Sequence, residues 1–175
     1  MPIVPDTKNW TWVLDRPCPD CGYDASTVQL SDVARRLREN AAEWRAVLLR
    51  DDVRERPDDS TWSPLEYSAH VRDVFRIFGV RLSAMLTDDH PAFENWDQDA
   101  TAIADRYAEQ DPAFVSAELV SAGNQLADAF EALPREAAAR TGRRSDGAIF
   151  TVETLGQYLV HDPVHHLWDV TGHRA

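Results

Sequence analysis

The chain has 175 residues, 30 acidic and 18 basic side chains and a net charge of −12. That length suits one domain with a real hydrophobic core, and a composition 43% hydrophobic and 27% charged excludes a disordered chain. The acidic balance argues against nucleic-acid binding, because Lys8 is the single lysine and the arginine groups Arg35-Arg36-Arg38 and Arg143-Arg144 are diluted by nearby carboxylates, whereas phosphate binding needs a basic face.

The N-terminus, MPIVPDTKNWTWV, lacks a charged segment followed by an apolar one, so no secretory signal is expected. No apolar run approaches the ~20 residues that cross a bilayer. A cytoplasmic protein with a small-molecule substrate, and with neither membrane nor nucleic-acid partners, is the expectation. Residues 1–27 read as an N-terminal extension carrying Cys18-Pro19-Asp20-Cys21-Gly22. This motif reads first as a structural turn leading into the first helix. Half of a zinc site completed by an outside ligand and a redox pair are the alternatives. Two cysteines make no disulfide framework.

The spacing predicts a helix over 28–50, because Leu30, Ala34, Leu37, Ala41, Trp44 and Leu48 step alternately by four and three. Ser63-Pro64-Leu65-Glu66 is a capping box with proline at the first helical position, starting a helix over 63–86. Its core stripe is Tyr67, Val71, Val74, Phe78, Leu82 and Met85. A long connection follows, in which Ile103, Ala104 and Tyr107 suggest a short helix. Asp111-Pro112 begins a third long helix over 111–133, and Thr151 a last one over 151–171. Asp146-Gly147 signals a small hairpin between them. The expected fold is therefore all-α, a four-helix bundle over 28–172 with a long crossover between the second and third long helices.

The histidines cluster in the last helix as His161-Asp162-Pro163-Val164-His165-His166. Residues four apart share a helix face, so His161 and His165 can present two imidazoles to one ion. His166 points about 100° away. A third ligand must come from another element, and His70, mid-helix beside the apolar stripe, is the candidate. Pro163 removes an intrahelical donor within the motif. Asp73, Asp162 and His166 flank these positions as candidate supporting groups that accept or share imidazole N–H bonds. Ligating imidazole suits zinc, nickel, iron and copper, with zinc and nickel favoured here. No HExxH pattern is present, which argues against a zincin-type peptidase.

Trp62-Ser63-Pro64-Leu65-Glu66-Tyr67 through His70, followed by His161-Asp162-Pro163-Val164-His165-His166, resembles the DinB-like superfamily over roughly 28–172. Members are metal-binding four-helix bundles, and related branches include thiol-dependent S-transferases and the mycothiol-dependent maleylpyruvate isomerase. The resemblance implies a site for one divalent ion at His70, His161 and His165. It also implies a low-molecular-weight thiol such as mycothiol, which would attack a small electrophile as a thiolate. Metal-dependent hydrolysis is the alternative chemistry, and a non-enzymatic metal-binding stress or scaffold protein is the alternative class. Arg72 and Arg144 are candidates for recognising a carboxylate. A homodimer is expected from the resemblance and from Trp10, Trp12 and Trp168, which one small core would not absorb.

Overall fold

A computed structural model describes residues 9–175. The first eight residues of the expected N-terminal extension, and with them the start of the segment read as lacking a secretory signal, lie outside the described residues. Four long helices carry the architecture: α1 (Leu30–Leu48), α2 (Pro64–Thr87), α4 (Pro112–Glu131) and α5 (Val152–Thr171). A short helix, α3 (Gln98–Ala104), lies in the α2–α4 connection. Among the described residues, no helix is long and apolar enough to cross a membrane.

The helix starts follow their caps. Ser63 Oγ accepts from the Glu66 N–H while the Glu66 carboxylate accepts from the Ser63 N–H, which satisfies two donors that a helix start leaves open. Asp111 Oδ1 accepts from the Ala113 and Phe114 N–H groups, and Thr151 and Thr154 cap α5 reciprocally. Gly172 ends α5 in the left-handed conformation at φ +72°, donating back to the Trp168 carbonyl.

The helices pack so that α1 and α2 each touch both α4 and α5, which makes the sequence neighbours α1 and α2 diagonal partners. The core is built from the expected stripes: Leu37, Ala41 and Trp44 of α1, Val71, Val74 and Phe78 of α2, Leu119 and Leu126 of α4, Leu155 and Leu159 of α5. Close approach of α4 is possible because position 123 is glycine. A Cβ there would stand 2.8 Å from Ala41 Cβ and 3.0 Å from the Phe75 ring.

The crossover is more structured than its sequence suggests. Ile103 and Ala104 fall in α3, whereas Tyr107 lies beyond it in a 3-10 turn, fully buried. The expected hairpin forms from β2 (Thr141–Arg144) and β3 (Ile149–Thr151). A third strand, β1 (Ala92–Phe93), pairs parallel to β2. Two residues carry no alternation signal, so this strand could not be read from sequence. Trp10 packs against Trp12 and the His161 ring, and Trp168 against the His165 ring, all three remaining partly exposed.

Gly123→Val should open the α1–α4–α2 contact and destabilise the fold by roughly 1–3 kcal/mol, the cost of overpacking a tight core. A lower urea midpoint at unchanged slope would register it.

Candidate metal centre

Helix α5 presents four chelating side chains in six residues: His161, Asp162, His165 and His166. They form two pairs at four-residue spacing, 161 with 165 and 162 with 166, on faces about 100° apart. The bundle places a different element against each face. His70 of α2 meets the second pair, and the N-terminal segment meets the first.

The expected trio is thereby divided. His70 shares a cluster with Asp162 and His166, each donor atom within 4.8 Å of the others, while His161 and His165 cluster with Cys18 and Cys21. The reason is rotational: α2 lies on the side of α5 carrying Asp162 and His166, and helical spacing alone does not reveal which side a neighbour occupies. Asp162 and His166, expected as supporting groups, stand where ligands would stand. Asp73 does neither job, since Arg72, Arg76 and the Tyr107 hydroxyl (2.6 Å) engage its carboxylate.

The His70 cluster has the features of a cation site. His70 is fully buried, its ring stacked on Trp96 with centroids 5.1 Å apart, and neither ring nitrogen makes a hydrogen bond. Its Nε2 stands 3.4 Å from Asp162 Oδ1, itself shielded from solvent and also without a hydrogen bond. Two buried polar atoms without hydrogen bonds at this distance leave an unmet demand that one ion would satisfy. His166 Nε2 lies 3.8 Å from the same oxygen. The other nitrogen of His166, Nδ1, is 2.8 Å from Asp169 Oδ2, the carboxylate–histidine pairing that fixes a ligand's tautomer.

Electrostatics keep these groups in the deprotonated forms that ligation requires. Burial pushes the His70 imidazole down, against the raising pull of Asp162. Burial and the neighbouring His165 push His161 down to about 4. For Asp162 burial pulls upward, but the surrounding imidazoles, His70 first, outweigh it and hold the carboxyl well below its ordinary range.

A cleft of about 950 Å³ opens on this cluster, walled by Trp62, Tyr67, Trp96 and Tyr158 and reaching Arg81 and Arg144. A hollow of about 1010 Å³ along α2 and α4 contains neither histidine nor cysteine and is remote from this chemistry. Arg144 is held by Asp146 and touches the Tyr158 hydroxyl, and Arg72 is saturated by Asp73, Glu118 and Gln110. Arg81, which sequence reasoning passed over, is buried, donates to the Glu94 carbonyl and lies over the Phe78 and Phe93 rings. It forms no ion pair among the described residues, and burial together with the Arg144 charge lowers its pKa. A lone arginine in an apolar stripe carries no signal for this role.

Residues 34–170 match the sequence profile of the DinB superfamily. The chain belongs to that superfamily. Among solved structures, this DinB protein is similar to YfiT from Bacillus subtilis, described as a probable metal-dependent hydrolase with an unusual four-helix bundle topology. The TM-score is 0.73 at 22% identity, covering 82% of this chain and 84% of that one, and at such identity the likeness establishes the fold. No curated protein matches the chain in sequence.

For this DinB protein, His166→Ala should weaken binding of a divalent ion at the His70 cluster as severely as His70→Ala or Asp162→Ala. Asp169→Asn should weaken it about 10- to 100-fold, the usual cost of losing a supporting carboxylate. Competition with a chromophoric chelator measures both.

Proposed function

We propose that this DinB protein is a metal-dependent enzyme that transfers a low-molecular-weight thiol to a small, negatively charged electrophile in the cleft beside His70. The observation that carries the reading is the convergence of His70 Nε2, Asp162 Oδ1 and His166 Nε2 at the wall of an open cleft. Two imidazoles and one carboxylate leave coordination positions free, as catalytic rather than structural zinc sites do. A divalent ion there supplies Lewis acidity that brings the deprotonation of a thiol or water towards neutral pH.

The chain's own residues supply the rest. His70, Asp162 and His166 would hold the ion, and Asp169 holds the His166 ring in register. Trp62, Trp96 and Tyr67 wall the reacting centre against bulk water, which strengthens charge interactions inside. Arg81 is a buried cation without a carboxylate partner, costly unless a ligand anion completes it. A carboxylate on the thiol or on the electrophile would do so. In the reaction a sulfur–carbon bond forms, the leaving group departs with its electron pair, and the thiol proton is released. A volume near 950 Å³ lies at the upper end of ordinary ligand sites and accommodates a cosubstrate together with an electrophile.

Hydrolysis is the second reading, favoured by the description of YfiT and by the carboxylate among the three donors. Metal-loaded protein incubated with mycothiol, bacillithiol or glutathione and a haloarene or bimane separates the two. Conjugate formation that requires both metal and thiol supports transfer, whereas metal-dependent turnover without thiol supports hydrolysis. Absence of any metal-dependent rate would favour a binding or scaffold protein. Arg81→Met should raise KM for the carboxylated reactant roughly 10- to 100-fold, the worth of a charge-assisted hydrogen bond of about 1.5–3 kcal/mol, with little effect on metal content.

A further inference from the structure

We propose a second, structural metal site: Cys18, Cys21, His161 and His165 form a closed tetrahedral zinc centre that pins the N-terminal segment to α5. All four residues are buried, none more than 8% exposed, and one donor atom from each lies within 4.8 Å of the other three. Zinc bonds of about 2.3 Å to sulfur and 2.0–2.1 Å to nitrogen set a tetrahedral S···N edge of about 3.6 Å. Cys18 Sγ and His165 Nδ1 stand 3.6 Å apart. His161 Nε2 is buried with no hydrogen-bond partner, a polar atom for which the protein provides nothing else.

The backbone around the cysteines is shaped to aim both sulfurs one way. Gly22 donates to the Cys18 carbonyl (3.0 Å) and Cys18 to the Tyr23 carbonyl (2.8 Å), closing a tight loop that Gly22 completes at φ +82°. A side chain at position 22 would be strained there. The loop is then covered: Ala175 donates to the Cys21 carbonyl and Arg174 to the Pro19 carbonyl. Trp10 lies against the rings of both His161 and His165, and Tyr23 against His161. His161 and His165 also line the cleft, but four protein donors complete a tetrahedral shell and leave no coordination position for substrate, which marks the centre as structural.

Charge and softness select the ion. Two thiolates neutralise one divalent cation, so no net charge is buried, and a mixed sulfur–imidazole set suits zinc over magnesium, calcium or manganese. A redox role for the cysteine pair fits poorly, since buried sulfurs offer no access to an exchanging thiol. A disulfide would also leave His161 Nε2 unmet. Asp169 connects the two centres: its Oδ2 takes His166 Nδ1, and its Oδ1 lies 3.9 Å from His165 Nε2.

The protein purified without added metal should contain one zinc that resists dialysis against a mild chelator. Titration of the native thiols with a mercurial should release that zinc in step with modification of two cysteines. Cobalt replacement should give an intense tetrahedral spectrum with a thiolate charge-transfer band. In a Cys18→Ser, Cys21→Ser variant the band should vanish and tight zinc fall by one, while weaker cobalt binding dependent on His70 persists. The thiol titration and cobalt spectrum need only the native chain, so they decide the matter even where the variant fails to fold. Immediate reaction of both thiols without zinc release, a native mass two hydrogens short, or no charge-transfer band after the zinc-depleted native chain is saturated with cobalt would each overturn the proposal. None of these readouts depends on the enzymatic activity proposed for the His70 cluster.

Discussion

The rotational setting of α5 about its own axis governs everything else in this molecule. Its four chelating residues lie on two faces, and a turn of about 100° would change which pair meets α2 and which meets the N-terminal segment. The core holds that angle. Leu155 and Leu159 are buried in the bundle, and Gly156 lets α5 approach Val33 and Phe130 so closely that a Cβ would stand 3.0 Å from the first and 3.2 Å from the second. Directed hydrogen bonds reinforce it: Asn40 donates to the Pro163 carbonyl, Gln157 to the Val28 carbonyl, and the Tyr23 hydroxyl to the Gln157 carbonyl.

The buried charges follow a consistent division of labour. Arg72, Asp73, Tyr107 and Glu118 form a satisfied network that ties α2 to α4 and to the crossover. Arg56 and Glu66 do the same at the start of α2, where Glu66 also closes the capping box. Such groups are tolerated inside because each has its partners. Arg81 breaks the pattern, and it does so at the cleft. In a chain of net charge −12, an unpaired buried cation beside an open cleft favours an anion from outside.

The two donor sets differ in composition and surroundings. Asp162 and His166 line the open cleft with His70 buried beside them, a carboxylate among the donors and Asp169 behind His166. Cys18, Cys21, His161 and His165 offer four buried donors, with Trp10 and Tyr23 against the histidines and the C-terminal residues over the cysteine loop. Asp169 reaches toward both, so the arrangement that positions one set constrains the other. Family membership accounts for the bundle. The cysteine pair lies before the matched residues 34–170 and is an addition to that plan.

By itself the sequence determined the four long helices, their starts and the inward stripes, because periodicity and capping are local and each residue's neighbours along the chain suffice to read them. It also showed that chelating side chains concentrate on α5 and singled out His70, which the fold brings beside Asp162 and His166. The partition of ligands was legible only in part. His161 with His165 was visible as a spacing, as was the Cys18–Cys21 pair, but nothing in the order of residues says that the two meet. Asp162 and His166 have the same four-residue spacing and were equally available to His70. Tertiary structure decided between the pairs, because which face of a helix meets which neighbour depends on packing among α1, α2, α4 and the N-terminal segment. The strand β1 and the lone cation Arg81 escaped the sequence for the same reason: two residues and one side chain have no period, and their meaning comes entirely from what is folded against them.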